Sequence, residues 1–279
     1  MILTGKNHDG QPNNLRATNG ELHQVDFWCA HAERVVWDTY GDRVSVYEKA
    51  KDLLKFGASD DIDTSLELVW NQGGNETLVS SNIITHFASS SGSDTGSMKV
   101  EGHTVDGSGN FTFVVQDVTL AGQTKTALTT PLARTSRAYN NTGTDWVGDI
   151  YVAEDVTFTA GVPQTASAIH VKVNAGENQT AKAATTFSQN DYFFLTNFYA
   201  SVGQKTAATV DFYLQVALKD KVFRNQFIYD AASTGGIINY DFRPFVIIPP
   251  NSDVRIMALS SANDTSCDAG FNGLLAIKV

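Results

Sequence analysis

Cysteine is scarce in this sequence, with Cys29 and Cys267 the only two among 279 residues. They lie far apart, and neither belongs to a Cys-x-x-Cys pair, the spacing typical of zinc ligands and redox motifs. This scarcity excludes a disulfide framework of the kind that stabilises small secreted domains. We expect both residues to be reduced thiols, and we predict no metal or cofactor.

Charge is also low, since Asp, Glu, Lys and Arg make up 18% of the chain. The 20 basic residues are scattered and outnumbered by 30 acidic ones, which gives a net charge of −10 at pH 7. Proteins that coat nucleic acid neutralise phosphates with clustered Lys and Arg. The charge balance excludes that class, and no nucleic-acid partner is predicted.

Long apolar runs are absent as well. No stretch approaches the roughly 18 consecutive apolar residues of a membrane-spanning helix. The first residues, MILTGKNHDG, lack the apolar segment of a secretory signal. We therefore expect a protein that is made in the cytoplasm and has no membrane partner.

Catalytic motifs are missing too. The six histidines form no His-x-His or His-Glu-x-x-His pattern, and no nucleophile elbow or glycine-rich phosphate loop occurs. His23 and His31 lie near Cys29, but their separation fits no standard pair of metal ligands. The sequence predicts a non-enzymatic protein without catalytic, cofactor-binding or metal-binding residues.

Two polar stretches resemble ligand sites, and we interpret both as turns. Asp106-Gly-Ser-Gly-Asn110 begins like a calcium loop, but Phe111 stands where that loop requires glycine. Asp60, Asp61 and Asp63 could pair as acid and base, yet they lie in the polar stretch ASDDIDT. A solvated turn explains that composition better.

Thr, Ser, Asn and Gly are abundant, and they separate short apolar runs from about Leu78 onward. The clearest run is Thr209–Lys219, in which Val210, Phe212 and Leu214 alternate with polar residues. Further strands are predicted at Ile83–Phe87, Met98–Thr104, Phe111–Leu120, Asp149–Val152, Ile169–Val173, Asp191–Ala200, Phe223–Tyr229, Ile237–Phe242, Val254–Leu259 and Leu274–Lys278. Because no crossover helices separate them, the sheets should be antiparallel. We predict an all-β, jelly-roll-like sandwich, with two smaller β-units in tandem as the alternative.

The first 74 residues differ from the rest. Asp42–Phe56 places Val46, Ala50, Leu53 and Leu54 at helical spacing, with a glycine following as a C-cap, which predicts one amphipathic helix. We expect an extended, partly helical N-terminal arm over residues 1–74, serving docking or assembly. A β-sandwich domain over residues 75–279 follows it.

Six segments carry a resemblance to a known family. They are DRVSVYEKAKDLLKFG (42–57), NETLVSSNIITHFASSSGSDTGSMKVEG (75–102), TPLARTSRAYNNTG (130–143), GDIYV (148–152), YFFLTNFYASVG (192–203) and FVIIPPNSDVRIMALSS (245–261). Their pattern and order resemble virion structural proteins of tailed bacteriophages, especially phages of marine bacteria and cyanobacteria. The resemblance implies a virion component made in the host cytoplasm and present in several copies, in the capsid shell, neck or tail.

Such a role predicts an assembly interface in the N-terminal arm. The candidate anchors are the arm's large side chains Trp28, Trp37, Trp70, Tyr47 and Leu54. The expected partners are further copies of this chain and other virion proteins, such as capsid or tail components.

Host recognition is the alternative function. Aromatic residues crowd the stretch 191–230, and aromatic rings can stack on sugars or fill a protein interface. With the loops 105–110 and 140–147, this stretch is the candidate surface for a host glycan or receptor. Core packing explains many of the same rings, since alternate strand residues point inward.

Overall fold

The computed structural model describes residues 47–278 apart from 204–207, 220 and 233–235, together with four short strands before residue 23. The strands are β1 (Thr4–Lys6), β2 (Pro12–Asn14), β3 (Ala17–Thr18), β4 (Glu21–Leu22), β5 (Tyr47–Ile62), β6 (Glu67–Leu68), β7 (Ile84–Ser89), β8 (Thr95–Val105), β9 (Phe111–Ala121), β10 (Thr126–Leu132), β11 (Arg134–Asn140), β12 (Ile150–Glu154), β13 (Phe158–Thr159), β14 (Val162–Pro163), β15 (Ile169–Val173), β16 (Ala184–Thr186), β17 (Asp191–Val202), β18 (Thr209–Ala217), β19 (Arg224–Ala232), β20 (Ile237–Ile248), β21 (Asp253–Ser260) and β22 (Thr265–Lys278). One 3₁₀ turn, Ala166–Ala168, is the helical element of the described residues. None of their helices has the length and apolar character needed to cross a membrane.

Every strand pair in the described residues is antiparallel, as the sequence predicts. The pairs form two sandwich-like units. In the first unit, the sheet β10-β7-β12-β15 packs against the sheet β11-β8-β9. In the second, the sheet β16-β21-β18-β19 packs against the sheet β20-β17-β22-β5, and β6 adds to β21. The prediction of an antiparallel sandwich is thus confirmed in its two-unit form.

Each unit has its own apolar core. Phe87, Met98 and Trp146 belong to the first core, and Phe198, Phe212 and several further phenylalanines to the second. Phe187 and Phe193 stack with their ring centroids 4.9 Å apart in the second core. Burial of apolar surface in two separate cores holds each sandwich together.

The predicted helix over Asp42–Phe56 is wrong where the structure describes it. Residues 47–62 form β5, which pairs with β22 along almost its whole length. The core-facing positions of β5 include Lys55, Gly57 and Ser59, all buried, whereas Leu54 points outward. Because polar residues and glycine occupy the buried face, the sequence does not show the alternation of a strand. The remaining apolar residues happen to be spaced as in an amphipathic helix.

The proposed boundary at residue 74 stays a prediction, since most of residues 1–46 lie outside the described part. The structure does show that β5 and β6 form part of the sheets of the second unit. The segment from residue 47 onward is therefore integrated into the fold.

Candidate assembly surface

A polar seam joins the two units and fixes their relative position. Arg134 on β11 forms a bidentate ion pair with Asp253 on β21, with Nε–Oδ1 and Nη2–Oδ2 distances of 3.0 and 3.1 Å. Asp253 also accepts a hydrogen bond of 2.6 Å from Thr186 Oγ1. Paired hydrogen bonds of this kind are both strong and directional, so they hold β11 against β21.

Lys182 lies at the centre of the seam and is fully buried. Its Nζ donates to Glu76 Oε1 at 2.7 Å, to the Thr135 carbonyl at 2.9 Å and to the His170 carbonyl at 3.0 Å. Burial lowers the pKa of Lys182, and the Glu76 carboxylate opposes that shift. All three ammonium protons have partners, as a buried cation requires.

Glu76 is the counter-charge of this network. Its Oε1 lies 3.3 Å from His170 Nδ1, while Glu154 Oε1 lies 3.2 Å from His170 Nε2. Burial by itself would raise the pKa of Glu76, but Lys182 and His170 outweigh it and lower the pKa to about 2. Glu76 is thus an ionised, buried carboxylate at neutral pH.

Lys55 and His103 are two further buried titratable groups at the seam. Lys55 Nζ donates to the Ser136 carbonyl at 2.5 Å, and burial together with the charge of Lys182 lowers its pKa to about 7. His103 is buried against Phe111 and Phe113, and its Nδ1 has no partner in the described structure. Burial and the neighbouring cations lower the pKa of His103 to about 3. These groups fit a structural seam.

The second sandwich has an open side. There β19 ends one sheet and β20 ends the other, and the described residues include no strand beyond either of them. Some core-facing side chains of both strands, such as Tyr229 and Tyr240, are partly exposed here, while others, such as Ala231 and Ile238, are buried. We call this region, residues 218–248, the open side.

Aromatic rings fill the gap between the two edge strands. Phe227 lies 4.5 Å from Tyr240, 5.3 Å from Phe242 and 5.2 Å from Tyr229, measured between ring centroids. Phe198 on β17 contacts Phe227 from inside the sandwich, at 6.0 Å. Tyr229 and Tyr240 remain 39% and 37% exposed. The second core is continuous with the surface at this point.

Apolar exposure concentrates on the open side. Seven of the twelve exposed large hydrophobic residues among those described fall here, namely Leu218, Val222, Ile228, Tyr229, Ile237, Tyr240 and Ile247. Beside the rings, a hollow of about 410 Å³ is lined by residues that include Val222, Val246 and Arg224. Tyr229 and Tyr240 lie on the inner faces of their strands, whereas Ile228, Ile237 and Ile247 lie on the outer faces. A concentration of exposed apolar side chains is typical of an interaction site.

The predicted arm anchors have different outcomes. Trp70 is 2% exposed, and its Nε1 lies 3.1 Å from the carbonyls of both Gly73 and Gly74, so its side chain is part of the fold and not an exposed anchor. Leu54 is 58% exposed on β5 and stays a predicted contact. Tyr47 begins β5, although its side chain is not described, and Trp28 and Trp37 lie outside the described residues.

The aromatic stretch 191–230 divides between core and surface. Phe193, Phe198 and Phe212 are buried, which is the packing role that strand alternation implies. Tyr229 is exposed on the open side, and its partner Tyr240 comes from β20, beyond that stretch. Sequence reasoning missed Tyr240 and Phe242 because the packing of one sheet against the other, not sequence proximity, brings them to Phe227.

Of the two polar stretches interpreted as turns, residues 106–110 form one, whereas Asp60 and Asp61 belong to the end of β5, so the turn interpretation is wrong for them. Asp106 Oδ1 accepts hydrogen bonds of 2.8 Å from the backbone amides of Ser108 and Asn110, which closes the turn between β8 and β9. Asp61, Asp63 and Asp264 bring carboxylate oxygens within 4.8 Å of one another. Asp63 accepts a hydrogen bond from the Asp264 backbone amide, which stabilises the turn before β22. His23 and His31 lie outside the described residues.

No protein-family model matches the sequence, and no curated protein matches it. Solved structures that resemble the chain include a T=1 particle derived from infectious bursal disease virus, with 11% identity, a TM-score of 0.23, and coverage of 84% of this chain and 71% of the other. The T13 particle of the same virus has 9% identity and a TM-score of 0.22, covering 83% and 71%. Its VP2 subviral particle has 9% identity and a TM-score of 0.20, covering 84% and 73%. TM-scores of this size fall short of a shared fold, so these structures carry no argument about the role of this chain.

Proposed function

We propose that this chain is a non-enzymatic structural component of a tailed-phage virion, assembling in several copies as a capsid decoration, neck or tail protein. The observation that carries the proposal is the open side, where no described strand covers the second core between two edge strands. The resemblance of six segments to phage structural proteins suggests that the assembly is a phage virion. The open side is a surface on which assembly can occur.

The seam supports a mechanical role. Buried ion pairs contribute less to stability than well-packed apolar residues would, but they specify one relative arrangement of the groups that they join. The bidentate pair Arg134–Asp253 and the three hydrogen bonds donated by Lys182 Nζ therefore orient the two sandwiches. A part that must present defined surfaces to its neighbours benefits from such a fixed geometry.

Immunogold labelling of purified particles tests the proposal. Antibodies raised against the folded chain should label intact particles, or particles opened by mild disruption, always on the same part of the particle. The labelled part identifies the location as shell, neck or tail. Particles that are unlabelled both intact and opened would rule out the virion role.

A host-recognition function is the second candidate, because two exposed tyrosine rings lie on the open side. Tyr229 and Tyr240 present faces on which a sugar ring could stack. Binding of the full chain to a glycan array, lost on substituting both tyrosines by alanine, would favour this function. Labelling confined to the tail tip would favour it as well.

A further inference from the structure

The space between the two sheets of the second sandwich is only partly filled along the open side. Aromatic rings from β19 and β20 fill it towards one end. Towards the other end, where β18 leads into β19 and β20 ends, lies the hollow of about 410 Å³. Its inner wall includes Val216, Val246 and Ile248, which belong to the second core or pack against it. A hollow of this size with apolar walls is the usual form of a small-molecule site.

Arg224 points into this hollow from β19. It lies opposite Val216 in the register of β18 and β19, and residues that are directly paired lie on the same face of a sheet. The guanidinium therefore shares the core-facing side with Val216, while it stays in contact with solvent at the mouth of the hollow. Within the described part of the chain it forms no ion pair. An unpaired cation beside apolar walls attracts an anion.

A bulge in β19 gives Arg224 this direction. Phe227 faces the core, and strict alternation would place a residue three positions away on the opposite face. Gln226 is an extra residue in the register, between the pairs Leu214–Phe227 and Gln215–Asn225, and it returns Arg224 to the core-facing side. Bulges that redirect a side chain in this way are common next to functional sites. Gln226 also lines the hollow, so an amide donor lies near the guanidinium.

Lys221 adds a second cation at the rim of the hollow. It lies in the turn after β18, where its backbone N–H donates to the Leu218 carbonyl at 2.9 Å. The described residues that line the hollow include no carboxylate, so the two positive charges are not neutralised there. Exposed Leu218 and Val222 complete the rim. The site thus combines an apolar interior with cations at its mouth.

We propose that this hollow binds a small amphipathic anion, which is a molecule with an apolar chain and a carboxylate at one end. The apolar chain lies against Val216, Val246 and Ile248, between the two sheets. The carboxylate accepts hydrogen bonds from Arg224, and Lys221 contributes a second positive charge. This inference goes beyond the assembly role and does not depend on it.

Isothermal titration calorimetry of decanoate against the full-length chain tests the proposal. We expect saturable binding of one decanoate per chain, with a dissociation constant below about 1 mM. Combining Arg224→Gln with Lys221→Gln removes both charges, so the dissociation constant should rise at least about tenfold. Octanoate has a shorter tail and buries fewer methylene groups, so it should bind roughly fivefold more weakly than decanoate.

Two controls separate this site from general attraction. Arg243→Gln is the matched variant, because Arg243 is an exposed arginine of β20 that is not part of the lining, and it should leave the dissociation constant unchanged. Decyltrimethylammonium has a tail of the same length and the opposite charge, so it should bind at least about tenfold more weakly than decanoate. Circular dichroism confirms that each variant is folded.

Three outcomes would overturn the proposal. One is an unmodified chain that does not bind decanoate at about 5 mM. Another is equal binding of decanoate and decyltrimethylammonium, since the hollow would then be an apolar surface without preference for an anion. The third is an equal effect of Arg243→Gln and of the double variant, because net charge and not this hollow would then control binding. A chain that binds decanoate but is absent from particles would retain the site and lose the virion role.

Discussion

Lys182 and Glu76 form a buried ion pair whose two members depend on each other. Replacing Glu76 by Gln leaves Lys182 without its counter-charge, which should lower the free energy of unfolding by about 3 to 5 kcal/mol. Urea denaturation at neutral pH measures the change. Combining Glu76→Gln with Lys182→Met removes the orphaned charge, so the double variant should recover part of the loss. A loss under about 0.5 kcal/mol for Glu76→Gln would contradict the assigned pairing, since it would match an ordinary surface substitution.

His103 gives the fold a specific dependence on pH. Its pKa is lowered to about 3, whereas an unfolded histidine titrates near 6.5. The unfolded chain therefore takes up this proton first as the pH falls, so stability is lost from about pH 6.5 down to about pH 3. In His103→Phe, the drop in stability between about pH 8 and about pH 5 should be smaller than in the unmodified chain. Equal drops would show that His103 is not buried as described.

β5 is a strand whose buried face carries polar residues and glycine, so its sequence lacks the usual alternation of apolar and polar residues. Gly57 faces the second core so closely that an added Cβ would lie 2.1 Å from the Val69 carbonyl oxygen and 2.4 Å from the Ala183 amide nitrogen. Both contacts are backbone atoms, which cannot rotate away. This position accepts no side chain.

Gly57→Val should therefore destabilise the protein by about 3 kcal/mol or more. Ala58→Val at the adjacent outward-facing position is the matched control and should be nearly neutral, because strands favour β-branched residues. Thermal unfolding of both variants measures the difference. Similar small effects at the two positions would contradict β5 and return the segment to the predicted helix, in which Gly57 is a cap.

The sequence predicts the apolar strands well and the polar ones poorly. Ile169–Val173 has the predicted bounds, and β17 and β18 begin at the predicted residues, because their buried faces are apolar. β11 escapes prediction since its buried residues include Thr135 and Ser136, which serve the seam. Residues whose burial depends on partners from a distant segment give no local signal.

The candidate surface also depends on contacts between distant segments, which the sequence does not reveal. Tyr229 lies in an aromatic stretch that the sequence singles out, whereas Tyr240 joins it through the arrangement of two sheet edges. The buried polar contacts of the seam likewise join segments far apart in the chain, as between Lys55 and the Ser136 carbonyl. Composition predicts the absence of a basic, nucleic-acid-coating surface, because that conclusion requires no pairing.

At the scale of the whole molecule, two sandwiches are joined by a polar seam, and one of them has a side that no described strand covers. The seam fixes the orientation of the two sandwiches, and the open side offers exposed apolar side chains and aromatic rings between the last described strands of two sheets. This combination suits a part that is repeated in an assembly. The arm residues Trp28 and Trp37 remain predicted contacts to further copies or to other virion proteins.

The copy number of the chain in purified particles tests this account most directly. Particles are purified by density gradient, and peptides of the chain are quantified by mass spectrometry against labelled standards, relative to a major shell protein. The account predicts several copies per particle, at a ratio that stays constant across the particle band. Absence of the chain from the band, or a ratio that falls with each purification step, would contradict it.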